Sequence, residues 1–398
     1  MTRTRTAVLC AAALLAATLQ TTAATAAPGS RDEACAATRH PGDQARQVLD
    51  IVREARRDLD LKAALVRVTV DGQEVVTGAV GESLTDVPAT PAMHFRAGSV
   101  GIAYLGTVLL QLVEEHKVDL DEPVARWLPD LPHADEITLR MLGDSTSGLH
   151  DYVTDPVFLK KLYADPWQHW TPEELVGIST RHPLWYEPGT NWSYSHANFV
   201  LLGRALEEIT GTPLERLLDE RVIHPLGLRN TRDNNTALIP PPVLHAYDSE
   251  RGLYEESTYF NPSWTTAPGA VLTTDICDLA RSGQAMGSGE LLSRRAFRTQ
   301  LNPGTIGLGH ATKNCPATVC LPMTEKFHFG LGVIVKNGWV LQNPSFFGYA
   351  AEMAYEPQQR LTIAVSTTVG PDAPGGNTAQ TITERIAELL SPGHPLAD

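Results

Sequence analysis

Apolar and polar residues follow two different periods along this chain. At 43–58 the apolar residues recur every three or four positions, which predicts an amphipathic helix. The segments 65–71 and 74–82 instead alternate apolar and polar residues on either side of Asp71-Gly72, a pattern that predicts a β-hairpin. Strand patterns return near the other end, followed by a closing helix; these segments are 327–338, 339–343, 350–358, 361–369 and 378–390.

This order of elements predicts an α+β fold. Helices and strands at both ends, with mostly helical patterns between them, indicate one antiparallel sheet built from both ends of the chain and flanked by N- and C-terminal helices. We therefore predict a sheet domain made of residues 27–99 and 276–398. Residues 100–275 form an inserted, mainly helical domain, and the active-site cleft lies between the two.

The stretch 94–123, HFRAGSVGIAYLGTVLLQLVEEHKVDLDEP, contains the most apolar helix pattern of the chain. It predicts a helix from Ser99 to about His116, with one broad buried face. Ser99 stands at the start of this helix. A serine there has two interpretations: it caps the helix, or it is a nucleophile at a helix N-terminus, where the partial positive charge favours an anion.

Composition and charge narrow the functional classes. The chain has 398 residues, 42% hydrophobic and 20% charged, as is typical of a globular protein. Its formal net charge of −14 and the lack of Lys/Arg-rich runs argue against a nucleic-acid partner. Residues 1–26 have a basic start, a short apolar run and Ala24-Thr25-Ala26, which predicts a cleaved signal peptide. No later stretch resembles a membrane span, so we expect a secreted, extracellular protein.

Four cysteines follow the predicted signal peptide, and an even number in an exported chain is compatible with disulfides. Cys315 and Cys320 lie in one loop rich in Pro, Gly and Asn, and we expect them to pair. Cys35 and Cys277 would then form a second bond. A metal site is the alternative, but distant cysteines without paired histidines favour it poorly.

Several ordered motifs resemble those of one family. Phe95, Arg96, Gly98 and Ser99 match the segment before and at its nucleophile, and the DLDEP run at 119–123 matches its acidic turn. Further matching segments are ITLRMLGDSTSGLHDY at 137–152, YEPGTNWSYSHANFVLLGRALEEITG at 186–211, HPLGLRNTR at 224–232 and APGAVLTTDICDLAR at 267–281. The chain from about 43 to 391 thus resembles the serine β-lactamase and penicillin-binding protein family, in particular its class C β-lactamase and D-alanyl-D-alanine carboxypeptidase branch. The resemblance implies the β-lactamase/DD-peptidase-like fold.

The resemblance also implies catalytic residues. Ser99 matches the nucleophile of the Ser-x-x-Lys motif, but Ile102 stands where the lysine is expected. The Tyr-x-Asn motif reads Tyr194-Ser195-His196, so the tyrosine that exchanges protons with the serine is present. His196 has two interpretations: its imidazole replaces the lysine as proton acceptor, or it only fills the hydrogen-bonding role of the asparagine.

The third family motif, Lys- or His-Thr-Gly, is replaced by Gln342-Asn343-Pro344. Gln342 and Asn343 become the candidate substrate-binding residues, without a group to grip a substrate carboxylate. The family's two oxyanion donors correspond to the backbone N–H groups of Ser99 and Ser345, and Ser345 retains its N–H although Pro344 has none.

Three functions follow as hypotheses. The first is an exported serine hydrolase of carboxypeptidase, esterase or β-lactamase type, which acts through a Ser99 acyl-enzyme on a small molecule or peptide, such as a peptidoglycan stem peptide. The second is a catalytically impaired protein that binds a cell-wall peptide or a protein partner in the altered cleft. The third is a scaffold without a retained site. No α/β-hydrolase elbow, nucleotide-binding motif or zinc-protease motif occurs, so we expect neither a cofactor nor a metal.

Overall fold

The structure is a computed structural model and describes residues 35–397. The predicted signal peptide, 1–26, lies outside the described residues. The helices are α1 (Asp43–Asp58), α2 (Val100–Glu114), α3 (Leu139–Asp144), α4 (Pro156–Ala164), α5 (Pro172–Ser179), α6 (His196–Thr210), α7 (Leu214–Leu218), α8 (His224–Leu226), α9 (Ile276–Ser288), α10 (Arg294–Leu301) and α11 (Thr378–Leu390). The strands are β1 (Leu61–Val70), β2 (Gln73–Leu84), β3 (Val87–Pro88), β4 (Phe95–Gly98), β5 (Arg232–Asp233), β6 (Tyr247–Asp248), β7 (Glu255–Glu256), β8 (Leu272–Thr274), β9 (Phe327–Phe329), β10 (Ile334–Lys336), β11 (Trp339–Gln342), β12 (Ser345–Phe346), β13 (Tyr349–Glu356) and β14 (Leu361–Val369).

The main sheet joins both ends of the described chain, as the sequence predicts. Its order is β3-β2-β1-β14-β13-β11-β10-β9, every pair is antiparallel, and β12 pairs with β13. The early hairpin β1–β2 therefore lies directly beside the late strand β14. The predicted α+β architecture is confirmed, whereas the domain boundaries stay a prediction.

Each face of the sheet packs against a different set of helices. Side chains alternate between faces along a strand, so Ala350 and Ala354 of β13 face the core shared with α1 and α11. Ala351 and Met353 point the other way, into the larger core that contains α2 and α9. This larger core positions the start of α2 against the sheet.

The helix α2 is buried on almost every side. Its observed length agrees with the predicted helix, but twelve of its fifteen residues are buried, where the sequence pattern predicts only one broad face. The difference arises because α2 packs against α3, α6, α7 and α10 as well as the sheet side.

The segment 327–338 is two strands and not one. β9 and β10 are separated by a turn that contains Gly332, whose φ of +73° is unfavourable for other residues. A Cβ atom at Gly332 would lie 2.4 Å from the backbone oxygen of Ile102. The glycine thus allows the sheet edge to approach the first turn of α2.

Both expected disulfides are present. Cys315 pairs with Cys320, and Cys35 pairs with Cys277. These sulfurs are therefore not available as metal ligands. Within residues 35–397, no helix combines the length and the apolar character that a membrane crossing requires.

Candidate active site

Ser99 lies between β4 and α2, at the wall of a cavity of about 780 Å³. It occupies the N-cap position of α2, but its backbone is helical, with φ −63° and ψ −3°, where capping residues are normally extended. Its side chain makes no capping hydrogen bond. The hydroxyl is therefore not committed to the helix, and the structure does not support the capping interpretation.

Tyr194 lies beside Ser99 in the cavity wall. Burial raises the pKa of the Tyr194 phenol above its usual value, the negative charge of Asp151 raises it further, and the neighbouring Ser99 hydroxyl lowers it in part. The direction is the one expected for a tyrosine that lacks a neighbouring lysine. The phenol therefore stays protonated at neutral pH, which makes it a weak base and a good donor.

A buried serine fixes the backbone around Tyr194. Ser145 has a left-handed conformation at the end of α3, and its hydroxyl donates to the oxygen of Ser193 over 3.0 Å. The hydroxyl oxygen of Ser145 accepts in turn from the N–H of Ser195 at 3.1 Å and from the amide of Asn198 at 2.8 Å. Ser145 stands where the family that the chain resembles has a histidine. Its hydrogen bonds with Ser193 and Ser195, the residues on either side of Tyr194, hold that tyrosine in place.

His196 is the first residue of α6, and its side chain also lines the cavity. Its Nδ1 lies 3.0 Å from each carboxylate oxygen of Asp151, and the two side chains are 18% and 12% exposed. Its ring meets that of Tyr194 edge to face, with centroids 5.0 Å apart. Ser99, Tyr194 and His196 are thus brought together at one wall.

Asp151 is the residue that sequence reasoning missed. It lies inside the quoted segment 137–152, next to His150, but nothing in that pattern marks it as a partner of a residue 45 positions later. Only the packing of the loop after α3 against the start of α6 brings the two together.

Ile102 lies one helical turn after Ser99 and is fully buried in the larger core. The position of the expected lysine is therefore filled by an apolar side chain. Among the described residues that line the cavity, none is a lysine or an arginine. The cavity offers no resident cation for proton transfer or for a substrate carboxylate.

The sheet edge forms the opposite wall. Pro344 approaches Gly98 closely. A Cβ atom added at Gly98 would lie 2.7 Å from the Cβ of Pro344. Gln342 is buried, and its amide donates to the oxygen of Gly332 at 2.6 Å, while the amide of Asn343 donates to Gln380 of α11 at 3.1 Å. Both predicted substrate-binding residues line the cavity, but the hydrogen bonds given by their amides go to the protein itself.

The N–H of Ser345 is the second oxyanion donor that the sequence predicts, and the pairing of β12 with β13 fixes its direction. The oxygen of Pro344 accepts from the N–H of Ala351 at 2.9 Å, and Ser345 pairs with Ala350 in the next register position. In an antiparallel ladder the following residue turns its N–H away from the partner strand. The N–H of Ser345 therefore points away from β13 and is not used by the β12–β13 ladder.

The remaining cavity wall is aromatic and acidic. The aromatic side chains are Tyr163, Trp192, Trp264, Phe327, Phe329, Phe346, Phe347 and Tyr349. Asp248 and Glu250 line the same cavity, and burial raises the pKa of both carboxyls. The hydroxyl of Tyr163 donates to Glu250 over 3.2 Å. Such a surface suits an apolar group, next to a neutral or positively charged one.

A family model described as Beta-lactamase matches residues 48–387 of this chain. Among curated proteins, the chain is 26% identical to penicillin-binding protein 4* of Bacillus subtilis over 60% of this chain and 50% of that protein. It is 32% identical to a D-aminopeptidase of Brucella anthropi, over 47% of this chain and 36% of the relative. The chain spans less than two thirds of the length of these curated relatives.

Solved structures give matches over most of the chain. A D-stereospecific amidohydrolase from a Streptomyces species is 26% identical, covers 86% of this chain and 98% of its own, and has a TM-score of 0.71. A D-amino acid amidase from Ochrobactrum anthropi, 21% identical, covers 88% and 99% with a TM-score of 0.73 and shows the same fold. The predicted β-lactamase/DD-peptidase-like fold is confirmed.

Proposed function

We propose that this chain, which belongs to the β-lactamase family, is a serine hydrolase that acts through an acyl-enzyme at Ser99. The observation that carries the proposal is the position of the Ser99 hydroxyl. It lies at a helix N-terminus without making a capping hydrogen bond, in contact with Tyr194 and at the wall of a large cavity. Such a hydroxyl has the position a nucleophile needs, because no capping bond holds it and it faces a cavity that a substrate can enter.

The reaction is acyl transfer. Oγ of Ser99 attacks the substrate carbonyl carbon while its proton passes to His196, and the C=O electron pair moves onto the oxygen. The N–H groups of Ser99 and Ser345 stabilise that oxyanion. When the intermediate collapses, the bond to the leaving nitrogen or oxygen breaks, and the imidazolium of His196 returns the proton to it. Water then repeats the sequence and releases the acid from Ser99.

The substrate class follows from the charges of the cavity. With Asp248 and Glu250 in its lining and no lysine or arginine among the described lining residues, a substrate carboxylate is disfavoured. The aromatic wall favours an apolar side chain. We therefore propose small amides or esters, including amino acid amides, ahead of β-lactams and peptides that end in D-alanine. The names of the D-stereospecific amidohydrolase and the D-aminopeptidase support an amide substrate.

A binding protein without catalysis is the second candidate, and one observation favours it. Ile102 and the Gln342-Asn343-Pro344 triplet remove the amine and the cation or imidazole that the resemblance leads one to expect. In this case the cavity would hold a peptide or partner without a covalent step. For either function we propose that the protein is exported, consistent with its two disulfides.

Covalent labelling separates these candidates. The mature protein is incubated with a fluorophosphonate and, separately, with a β-lactam, and its intact mass is measured beside that of Ser99→Ala. We expect a fluorophosphonate adduct on the wild type and none on the variant. Hydrolysis of phenylalanine amide is expected to exceed that of a peptide ending in D-Ala-D-Ala. A folded wild type that forms no adduct with either probe would contradict the hydrolase and leave the binding function.

A further inference from the structure

We propose that Asp151 is the positioning residue for His196, and that this pair takes over the proton transfer that the missing lysine leaves open. The inference rests on the proposed function, because it assigns a role within the reaction at Ser99. It adds a residue from a different loop to the site and makes the histidine more than a substitute for asparagine.

The contacts of Asp151 are suited to holding an imidazole. Both of its carboxylate oxygens lie 3.0 Å from Nδ1 of His196. Its Oδ1 also accepts from the backbone N–H of His196 at 3.2 Å and from that of Val153 at 3.2 Å. The two backbone N–H groups thus hold the carboxylate from two directions. Because its side chain is only 12% exposed, it stays in contact with the ring.

These contacts select one tautomer of His196. A carboxylate only accepts hydrogen bonds, so Nδ1 must carry a hydrogen and donate it to Asp151. In the neutral ring Nε2 then carries the free lone pair, and no hydrogen-bond partner of Nε2 is found among residues 35–397. His196 lines the same cavity as Ser99, so this lone pair is the available acceptor for the Ser99 proton.

The electrostatics of the site favour His196 over Tyr194 as that acceptor. Burial raises the pKa of Tyr194 and of Tyr152, whose rings pack near the imidazole, and the charge of Asp151 raises both further, so both phenols stay neutral. The same charge stabilises the imidazolium that forms when His196 takes a proton. The remaining titratable side chains of the cavity are Tyr163, Asp248, Glu250 and Tyr349.

The rival role for Asp151 is purely structural, because it accepts two backbone N–H groups. Asp151→Asn separates the roles, since an amide oxygen retains both backbone bonds. The amide NH₂ then takes the place of Oδ2 beside Nδ1 and disfavours a hydrogen there, which shifts the ring towards the Nε2–H tautomer that cannot accept the proton at Nε2. Asp155→Asn is the matched control, because Asp155 lies 3.0 Å from Nε2 of His182, which does not line the cavity.

The test measures the rate of fluorophosphonate labelling of Ser99 in the full mature chain. We expect Asp151→Asn to slow labelling by about 10²- to 10⁴-fold, because the imidazole loses the carboxylate that fixes its tautomer. Asp151→Glu should restore part of the rate, and Asp155→Asn should stay within about twofold of the wild type. A slower Asp151→Asn in which His196 keeps the tautomer of the wild type would show a structural role and overturn the proposal.

A second readout does not depend on reactivity. Nitrogen NMR of the chain with labelled histidines, with the His196 signal assigned from His196→Ala, reports which ring nitrogen carries the hydrogen. We expect the Nδ1–H form in the wild type and the Nε2–H form in Asp151→Asn. A folded wild type that forms no fluorophosphonate adduct would overturn the proposed function, and the role of the pair with it. If the wild type does form the adduct, but neither its rate nor the His196 tautomer responds to Asp151→Asn, only the role of the pair would be overturned.

Discussion

Two His–Asp pairs of this protein have nearly the same contacts and different surroundings. His196 and His182 each place a ring nitrogen 3.0 Å from an aspartate oxygen. Both aspartates also cap the start of a short helical segment, Asp151 the turn at Tyr152–Thr154 and Asp155 the helix α4. However, the His182 side chain is 42% exposed and stacks on His150, while that of His196 is 18% exposed and lines the cavity.

Pairing with an aspartate alone does not make a histidine a catalytic group. An aspartate that caps a helix and holds a nearby histidine is an ordinary structural arrangement. The environment distinguishes the two, because only His196 has a ring next to Tyr194 and a wall shared with Ser99. The proton chemistry is therefore assigned to one pair and local stability to the other.

The largest expected difference between the pairs concerns reactivity. His196→Ala should slow the labelling of Ser99 by about 10²- to 10⁴-fold, because the proton acceptor is lost, whereas His182→Ala should change it by less than about twofold. Added imidazole should recover part of the rate in His196→Ala only. Equal labelling rates for the two variants would contradict the assignment of His196 as the proton acceptor.

One buried carboxylate differs from those of Asp151 and Asp155 because it has no hydrogen-bond partner. Glu352 of β13 is fully buried, and neither of its oxygens has a hydrogen-bond partner. Burial and, to a smaller extent, the charge of Glu384 raise its pKa to about 8, and the charge of Lys336 opposes this shift. Between its ordinary pKa of 4.5 and 8, the folded chain holds a proton that the unfolded chain releases, so the free energy of unfolding should fall as the pH rises through this window.

Glu352→Gln should remove most of this slope and stabilise the protein at pH 8 by on the order of a few kcal/mol, as measured by urea unfolding between pH 5 and 8. Glu290→Gln is the control, because Glu290 pairs with Arg281 at 2.5 Å, which lowers its pKa, so it does not contribute to this slope. Buried Asp144, whose pKa is raised to about 7, supplies a residual slope of the same sign. A Glu352→Gln variant with the full slope of the wild type would contradict this assignment.

The smallest effect concerns the pair of Asp155 and His182. Asp155→Ala should lower the free energy of unfolding by about 1 kcal/mol, because the N–H groups of Val157 and Phe158 lose their cap. Burial alone would raise the pKa of Asp155, but the hydrogen bonds from His182, Phe158 and Val157 lower it overall. Its stabilisation should therefore persist above pH 4 and disappear as the pH falls through the lowered pKa. Labelling of Ser99 should not change, and a loss there would show that the two pairs are coupled.

The sequence predicts the fold better than the site. The helix at 43–58, the hairpin around Asp71-Gly72 and both disulfides depend on local patterns or on few alternatives, and each is confirmed. The turn at Gly332 is not predictable locally, because that glycine is required by the approach of Ile102 from another part of the chain.

The same reason limits the prediction of the site. Ser99, Tyr194 and His196 are predicted because they occupy the key positions of recognisable motifs, and all three line one cavity. Asp151 lies in a matching segment that does not mark it as a site residue, and its contact with His196 appears only when the loop after α3 meets α6. Hydrogen-bond direction is also a tertiary property, which is why the inward-directed amides of Gln342 and Asn343 could not be foreseen.

The bond between Cys35 and Cys277 closes a covalent ring through 242 positions of sequence separation. Ser99, Asp151, Tyr194 and His196 all belong to this ring, whereas the strand edge at 342–345 lies outside it. A single protease nick within the ring, for instance at the loop where Leu253 is 74% exposed, would open it without detaching either piece. A nicked molecule would therefore run as one species on a non-reducing gel and as two after reduction, and would keep Ser99 tethered to the piece that carries residues 342–345.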